Sequence, residues 1–342
     1  MDIISAIKRV TGGQDLNSEE MISIMRLIMS GASTEAQNAA FLVGLQMKGV
    51  RPAELFGGAS VMRELATRVT VSDKSHLVDT CGTGGSGSNK FNVSTASAMV
   101  VATAGAKVAK HGNRGATSKS GSADVLEAAG VDLSLGAERV GHCIDRVGVG
   151  FMFAPAHHSA MKHVISARKE IGVRTIFNLL GPLTNPAGAP NQIIGVFDAQ
   201  WIPTILETLR DLGSRHVLVV AADDGLDEIS ISADTHVGEL KKGKLSFYQV
   251  SPGDFGIDRQ ADFTALQVDS AAASLELLKQ SLDYSNKAAG DIVALNAGAA
   301  IYAAQLASSL VDGVEMAKSV LDSGEALAKL EELVTFTQRQ GF

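Results

Sequence analysis

A strand-like run from His76 to Cys81 passes directly into a glycine-rich turn and then into an apolar helix, and few local patterns restrict a fold so tightly. From Asp79 to Glu127 the chain reads DTCGTGGSGSNKFNVSTASAMVVATAGAKVAKHGNRGATSKSGSADVLE. Gly82, Gly84, Gly85 and Gly87 let backbone N–H groups close on an anion, and the serines and threonines add hydroxyl donors. Between Thr80 and Ala123 there is no acidic residue, whereas Lys90, Lys107, Lys110, Arg114 and Lys119 are all present, in a chain of net charge −7. The implied ligand is a phosphate ester carrying more than one phosphate. A linker loop would not sit between an apolar strand and an apolar helix.

Two other phosphate loops fit less well. Gly82-x-Gly84-x-x-Gly87 satisfies the dinucleotide G-x-G-x-x-G pattern. That motif expects the helix to open at its last glycine and an acid about 20 residues on. Here Phe91-Asn92-Val93 intervenes before a helix from about Ser94, and Lys107 to Arg114 stand where the acid would be. A Walker loop is excluded because no Gly-Lys-Ser/Thr follows.

At 342 residues the chain exceeds the usual single-domain size, so two domains are expected. Its acidity excludes a general nucleic-acid or membrane-surface binder. The two cysteines, Cys81 and Cys143, cannot form a disulfide framework; each reads as a small packed residue in a reduced, cytoplasmic protein. No signal peptide is visible, because an acid follows Met1 and an amphipathic stretch precedes Lys8-Arg9. Ile292 to Val311 is uncharged over a length that could span a bilayer, but its alanines and polar residues predict a buried helix.

The first 70 residues read as all-helical. Asn17 with Glu20 and Thr34 with Gln37 have capping-box spacing, Gly31 and Gly49 suit helix ends, and Pro52 suits a first turn. Helices near 19–30 and 35–48 are apolar on nearly every side and must be covered by the bundle or by a second subunit. From residue 76 short β-rich runs at 76–81, 106–109, 192–198, 215–222 and 244–250 alternate with helical stretches such as 94–104 and 201–212. The expected fold is α/β plus all-α: a small helical domain and a larger α/β domain whose mostly parallel sheet is flanked by helices. Its ligand site belongs at the carboxyl ends of the strands. Residues 158–183 interrupt the alternation and are expected to rejoin the helical domain. The division is then 1–70 joined by 158–190, against 71–157 with 191–342.

With the glycine loop, KHGNR, RTIFNLLGPLTNP, DGLDEIS, ALNAGAAIY and DSGEALAKLEEL all in order, the chain resembles the anthranilate phosphoribosyltransferase family. That family is a branch of the glycosyltransferases that share a fold with pyrimidine-nucleoside phosphorylases. The resemblance covers almost the full length. It implies transfer of a phosphoribosyl group from phosphoribosyl pyrophosphate to anthranilate in tryptophan synthesis, by a homodimer using Mg²⁺, with two ions expected. Such a displacement needs no covalent nucleophile, which agrees with the lack of a Ser-His-Asp, Cys-His or metal-binding cysteine set.

The resemblance also implies roles for individual residues. Gly82, Gly85, Ser86, Lys90 and the run Asn92-Val93-Ser94-Thr95 look like the phosphoribosyl pyrophosphate loop. Lys110, His111, Gly112, Asn113, Arg114, Gly115, Ala116, Thr117 and Ser118, with Ser122, look like its basic wall. Asp227 and Glu228, helped by Ser94, resemble the Mg²⁺ ligands, since Mg²⁺ prefers hard oxygens supplied partly by substrate phosphates. Arg168 looks like the partner of the anthranilate carboxylate, because a guanidinium fork can donate two parallel hydrogen bonds. Gly82 and Asn113 would touch the same ligand, and His111, His158 and Pro182 would line its route. His157 and His163 receive no role and read as surface residues.

The chain departs from the family pattern in places. Ser86 stands where GTGGDG has its aspartate, and Lys90 replaces a small hydroxyl residue. Ser159, Ser166 and Ala167 replace the residues of HPAM and PVR, and Ala221-Ala222 replaces His-Gly. A nucleoside phosphorylase is disfavoured by GPLTNP and Arg168. A nucleic-acid-binding relative should be basic and lack the metal carboxylates, and a nicotinamide-dependent oxidoreductase would need motifs beyond the loop.

Overall fold

The structure, a computed structural model, describes residues 1–85, 87–115 and 118–339. Its first four helices are Ile3–Thr11, Ser18–Met29, Glu35–Lys48 and Pro52–Leu65. Both capping boxes form as their spacing predicts, on Asn17 with Glu20 and on Thr34 with Gln37, and Pro52 opens the fourth helix. Within the chain the Ser18–Met29 helix buries Met21, Ile24, Met25, Ile28 and Met29. The Glu35–Lys48 helix buries Phe41, Leu42 and Leu45 but leaves Met47 83% exposed.

Seven strands follow among the described residues: β1 (Leu77–Gly82), β2 (Lys107–Gly112), β3 (Val149–Phe153), β4 (Asn191–Gly195), β5 (His216–Ala222), β6 (Thr235–Lys241) and β7 (Lys244–Val250). They lie in one sheet in the order β3-β2-β1-β4-β5-β6-β7. β3 to β5 run parallel, and β6 and β7 return antiparallel. Alternation along the strands splits the core into two faces. Leu218 and Val220 of β5 join the helices Val93–Thr103 and Lys287–Ala303, whereas Val217 and Val219 join the first helices and Trp201–Asp211.

Two strands had no counterpart among the sequence expectations. β3 has five residues directly behind the helix Ala137–Val147, too short a run to stand out. β6 carries Gly238 at its centre and buried Glu239, and both weaken the apolar alternation. The glycine is required there because a Cβ would lie 2.2 Å from Ile202 and 2.6 Å from Leu206.

Residues 158–183 are helical in short pieces: the 3₁₀ turn Ser159–His163, the helices Ile165–Ile171 and Phe177–Leu180, and the 3₁₀ turn Gly181–Thr184. The surface reading of His157 is corrected. Its side chain is buried, with Nδ1 2.9 Å from the Thr67 carbonyl, and its own carbonyl accepts from the Thr67 N–H. His163 is half-buried against Gly31. The uncharged stretch Ile292 to Val311 is not one helix: the Lys287–Ala303 helix, buried from Ala289 to Ala303, stops there, and Leu310 opens the next helix, Leu310–Ser323, with Val311 exposed. No helix among the described residues is long and apolar enough to cross a membrane. Cys143 is buried and Cys81 half-buried.

Candidate active site

The strand order reverses between β1 and β4, and a parallel sheet opens its ligand crevice at such a switch point, beyond the carboxyl ends of the strands. β1 ends at Gly82 and β4 at Gly195, paired to each other, and the Thr83 N–H donates to the Gly195 carbonyl at 2.8 Å. The 223–234 loop crosses both ends. A Cβ on Gly195 would lie 1.8 Å from the Asp227 carbonyl oxygen, and one on Gly82 3.1 Å from Asp227 Oδ2. Glycine at the two strand ends is what admits this carboxylate to the crevice. Gly84 and Gly85 then turn with φ of 65° and 87°, and the Gly85 carbonyl accepts from Arg174, whose guanidinium stacks 3.9 Å from the Phe197 ring centroid.

The helix Val93–Thr103 points its amino end at the same place. Its entry is clamped: the Asn92 N–H donates to Ser274 Oγ at 3.1 Å, while Asn92 Oδ1 accepts from Ser120 Oγ at 2.8 Å and Ser274 Oγ at 2.7 Å. Val93 and Thr95 spend their N–H groups on Phe91 and Asn92 carbonyls. The Ser94 N–H meets the Glu228 carboxylate instead. Glu228 is pushed up to about 7 by burial, with Asp227 adding to the rise and Lys90 and Lys110 opposing it. Lys90 is ion-paired to Asp227 Oδ1 and lies 3.9 Å from Glu228 Oε1. Burial alone would lower its ammonium; the two carboxylates outweigh that and raise it. Lys110 is buried beneath the loop, donating to the Thr80 carbonyl at 2.6 Å and to Ser94 Oγ at 3.2 Å.

The 223–234 loop is itself held from behind. Asn296, in the buried helix, accepts from the Ile229 N–H at 2.8 Å and donates to the Ile229 carbonyl at 3.0 Å. Asp224 accepts from Ser230 and Ser232, each at 2.6 Å. Two carboxylates with the Ser94 hydroxyl nearby match a Mg²⁺ ion that takes few protein oxygens and completes its shell from phosphates. Among the described residues no group of three or more His, Cys, Asp or Glu could hold a metal alone.

Away from this corner, His111 and His158 stack with ring centroids 5.1 Å apart. Both Nε2 atoms are buried without a partner, and burial first, then neighbouring positive charge, pulls the rings down to about 3 and about 4. They are neutral at physiological pH. The His111 N–H donates to Asp79 Oδ1 at 3.2 Å, and Asn185 Nδ2 donates to Asp79 Oδ2 at 2.7 Å, so the TNP of GPLTNP braces β1 against β2. The Pro182 carbonyl accepts from Gln192 at 2.8 Å. Arg168 lies over the Phe177 ring at 5.3 Å, with burial lowering its pKa, and has no carboxylate partner among the described residues.

The wall after β2 is less open than its sequence suggests. Arg114 turns onto the following helix, Ser122–Ala128, at 3.0 Å from Asp124 and 2.7 Å from Glu127. Asp124 accepts from the N–H groups of Gly115 and Gly121, each at 2.9 Å. The Asn113 carbonyl accepts from Ser122 Oγ at 3.3 Å, and Ser118 Oγ donates to the Ser120 carbonyl at 3.1 Å. Gly112 comes so close to Ser122 that a Cβ would lie 2.1 Å from its Oγ. Ser86, Ala116 and Thr117 lie outside the described residues. The supporting residues Ser120, Asn185, Gly195, Ser274 and Asn296 carried no individual signal beyond their motifs, because each acts on a residue distant in sequence.

Known proteins share this arrangement. The glycosyl transferase family, a/b domain, matches residues 74–327, and its helical bundle domain matches residues 4–66. The anthranilate phosphoribosyltransferase of Thioalkalivibrio sulfidiphilus is 57% identical over 98% of this chain and 99% of its own. That of Hahella chejuensis is 58% identical over 98% of each. Among solved structures, anthranilate phosphoribosyltransferase from Thermus thermophilus superposes with a TM-score of 0.92 at 43% identity, over 98% of this chain and 99% of that one. The Saccharomyces cerevisiae protein, solved in complex with PRPP and Mg, superposes at 0.88 with 25% identity, over 98% and 97%.

Proposed function

The chain belongs to the anthranilate phosphoribosyltransferase family, and we infer from that membership and from its site that it transfers the 5-phosphoribosyl group of phosphoribosyl pyrophosphate to the amine of anthranilate, in tryptophan biosynthesis. The amine forms a bond to ribosyl C1 as the bond from C1 to pyrophosphate breaks, and the amine loses a proton. Positive charge develops on the ribose and negative charge on the leaving group, so catalysis rests on positioning and on charge placed in advance. The observation that carries this reading is the meeting of three distant segments at one switch point: the glycine loop, the amino end of the Val93–Thr103 helix, and Asp227 with Glu228.

Gly82 to Gly85 and Asn92 to Thr95 receive the phosphates, with Lys110 supplying positive charge from beneath and His111 to Gly115, Ser118 and Ser122 closing the far side. Asp227, Glu228 and Ser94 would hold Mg²⁺, with two ions expected, and the metal would supply positive charge to the departing pyrophosphate. Arg168 takes the anthranilate carboxylate. His111, His158 and Pro182 border that ligand, with Gly82 and Asn113 at its inner end; rings kept neutral by burial suit an uncharged aromatic amine. Residues 1–70 with 158–190 form one unit and 71–157 with 191–342 the other, a division supported by the contact of Arg174 from the first with the Gly85 carbonyl of the second.

A homodimer is supported by the outer face of the Glu35–Lys48 helix, where Ala36, Ala40, Val43 and Met47 recur at helical spacing beside the 54%-exposed Ile4. A cytoplasmic location fits the reduced thiols. The decisive assay follows loss of anthranilate fluorescence with phosphoribosyl pyrophosphate and Mg²⁺. Turnover that chelator abolishes is expected; phosphorolysis of a nucleoside in its place would overturn the reading, and a strictly monomeric species in sedimentation would overturn the dimer.

A further inference from the structure

Lys90 does more than add a cation to the phosphate loop. It is 12% exposed, is ion-paired to Asp227 Oδ1, and lies 3.9 Å from Glu228 Oε1, against carboxylates 8% and 12% exposed. The geometry points to Lys90 as the resident cation of this carboxylate pair: in the substrate-free protein its ammonium occupies the pair, excludes a divalent ion, and lets metal in only together with the substrate's diphosphate.

Both sides of the contact are built rather than incidental. Lys90 leaves a short ladder, not a loose loop: it bridges Gln267 in antiparallel fashion, the Val268 N–H donates to the Asn89 carbonyl at 2.8 Å, and the Phe91 N–H donates to the Leu266 carbonyl at 2.8 Å. On the other side Asn296 fixes the backbone at Ile229, next to Glu228. The Ser94 hydroxyl already accepts from Lys110 at 3.2 Å.

Charge completes the argument. The chain carries no acid from Thr80 to Ala123, so the carboxylates within 4 Å of the Lys90 ammonium, Asp227 and Glu228, come from the 223–234 loop, and Lys90 cancels one of them. A divalent ion prefers several anionic oxygens and would have to displace a buried ammonium from its partner. A diphosphate supplies both the missing oxygens and an alternative anion for the lysine, whose four-carbon stem is flexible. Metal binding and substrate binding are thereby coupled through one side chain.

This inference rests on Asp227 and Glu228 being the metal carboxylates, and the test separates the two. Mn²⁺ is titrated into substrate-free protein and the free ion followed by electron paramagnetic resonance, with Mg²⁺ calorimetry alongside. Wild-type protein is expected to show no saturable site at millimolar metal. Lys90→Ser and Lys90→Met should each gain one site, at least about tenfold tighter, that Asp227→Asn removes. A wild-type site abolished by Asp227→Asn overturns the inference without recourse to any Lys90 variant, and so does the absence of a gained site in both variants when circular dichroism shows them folded. The titration is repeated with inorganic pyrophosphate. Metal uptake there that ignores Asp227→Asn brings down the carboxylate assignment itself, whereas uptake that depends on Asp227 keeps that assignment and confines any failure to Lys90.

Discussion

Two buried polar clusters lie at opposite ends of the sheet and differ in how completely the chain satisfies them. At the amino end of β5, Glu239 accepts from His216 Nε2 at 2.9 Å, Tyr302 at 2.8 Å and Tyr248 at 3.1 Å, while Lys241 donates to Tyr302 at 2.8 Å. Burial alone would raise the Glu239 carboxyl, yet these donors hold it below its usual range; only His216 Nδ1 lacks a partner there. At the carboxyl end Glu228 is driven up to about 7, and His111 Nε2, His158 Nε2 and Thr95 Oγ1 are buried without partners. A folded chain satisfies nearly all its buried polar groups, so a concentration of exceptions marks where a ligand completes the structure. One cluster is closed by its own side chains; the other is left open in the way the proposed substrate site requires.

Variants can break that distinction. The largest effect is expected from Asp227→Asn with Glu228→Gln, which should lower kcat/KM by on the order of 10³-fold or more while the protein remains folded by circular dichroism. An active double variant would remove the metal corner from the mechanism. Arg168→Ala comes next: it should raise the anthranilate KM by an amount equivalent to roughly 2–5 kcal/mol and leave phosphoribosyl pyrophosphate binding nearly unchanged. Equal losses for both substrates would count against the assignment. Glu239→Gln should do the reverse, costing about 2 kcal/mol in chemical denaturation because the His216 and tyrosine donors lose a charged acceptor, with kcat of the folded enzyme intact. A large change in kcat would show that the two ends of the sheet are coupled.

The smallest expected effect is a pH dependence. His111 and His158 have folded-state values of about 3 and about 4, below the unfolded value of 6.5, so the unfolded chain takes up protons first and their contribution is lost as pH falls below 6.5. Each ring should cost roughly 1 kcal/mol at pH 5.5. Glu228 runs oppositely, since a carboxyl raised to about 7 favours the folded state as pH falls from there toward the unfolded 4.5. The contrast is therefore read between wild type and His111→Gln/His158→Gln: the variant should gain stability relative to wild type as pH falls from 7 to 5.5. Parallel curves would mean the rings are not held neutral by burial.

Much of this was legible in the chain because it is local. Caps at Asn17 and Thr34, Pro52 at a first turn, and the strand–glycine–helix unit at Leu77 to Thr103 depend on residues a few positions apart, and each forms as its chemistry dictates. The motifs likewise named the chemical parts: anion loop, carboxylates, guanidinium. Tertiary structure decided which parts meet. Nothing around Lys90 announces that its ammonium will rest on a carboxylate 137 residues away, that Asn296 will pin the 223–234 loop, that Arg114 will turn onto Glu127, or that His157 will be buried against Thr67. Those outcomes depend on strand order, which places β1 beside β4 and so brings Gly82, Gly195 and Asp227 to one point, and short-range patterns carry no information about strand order.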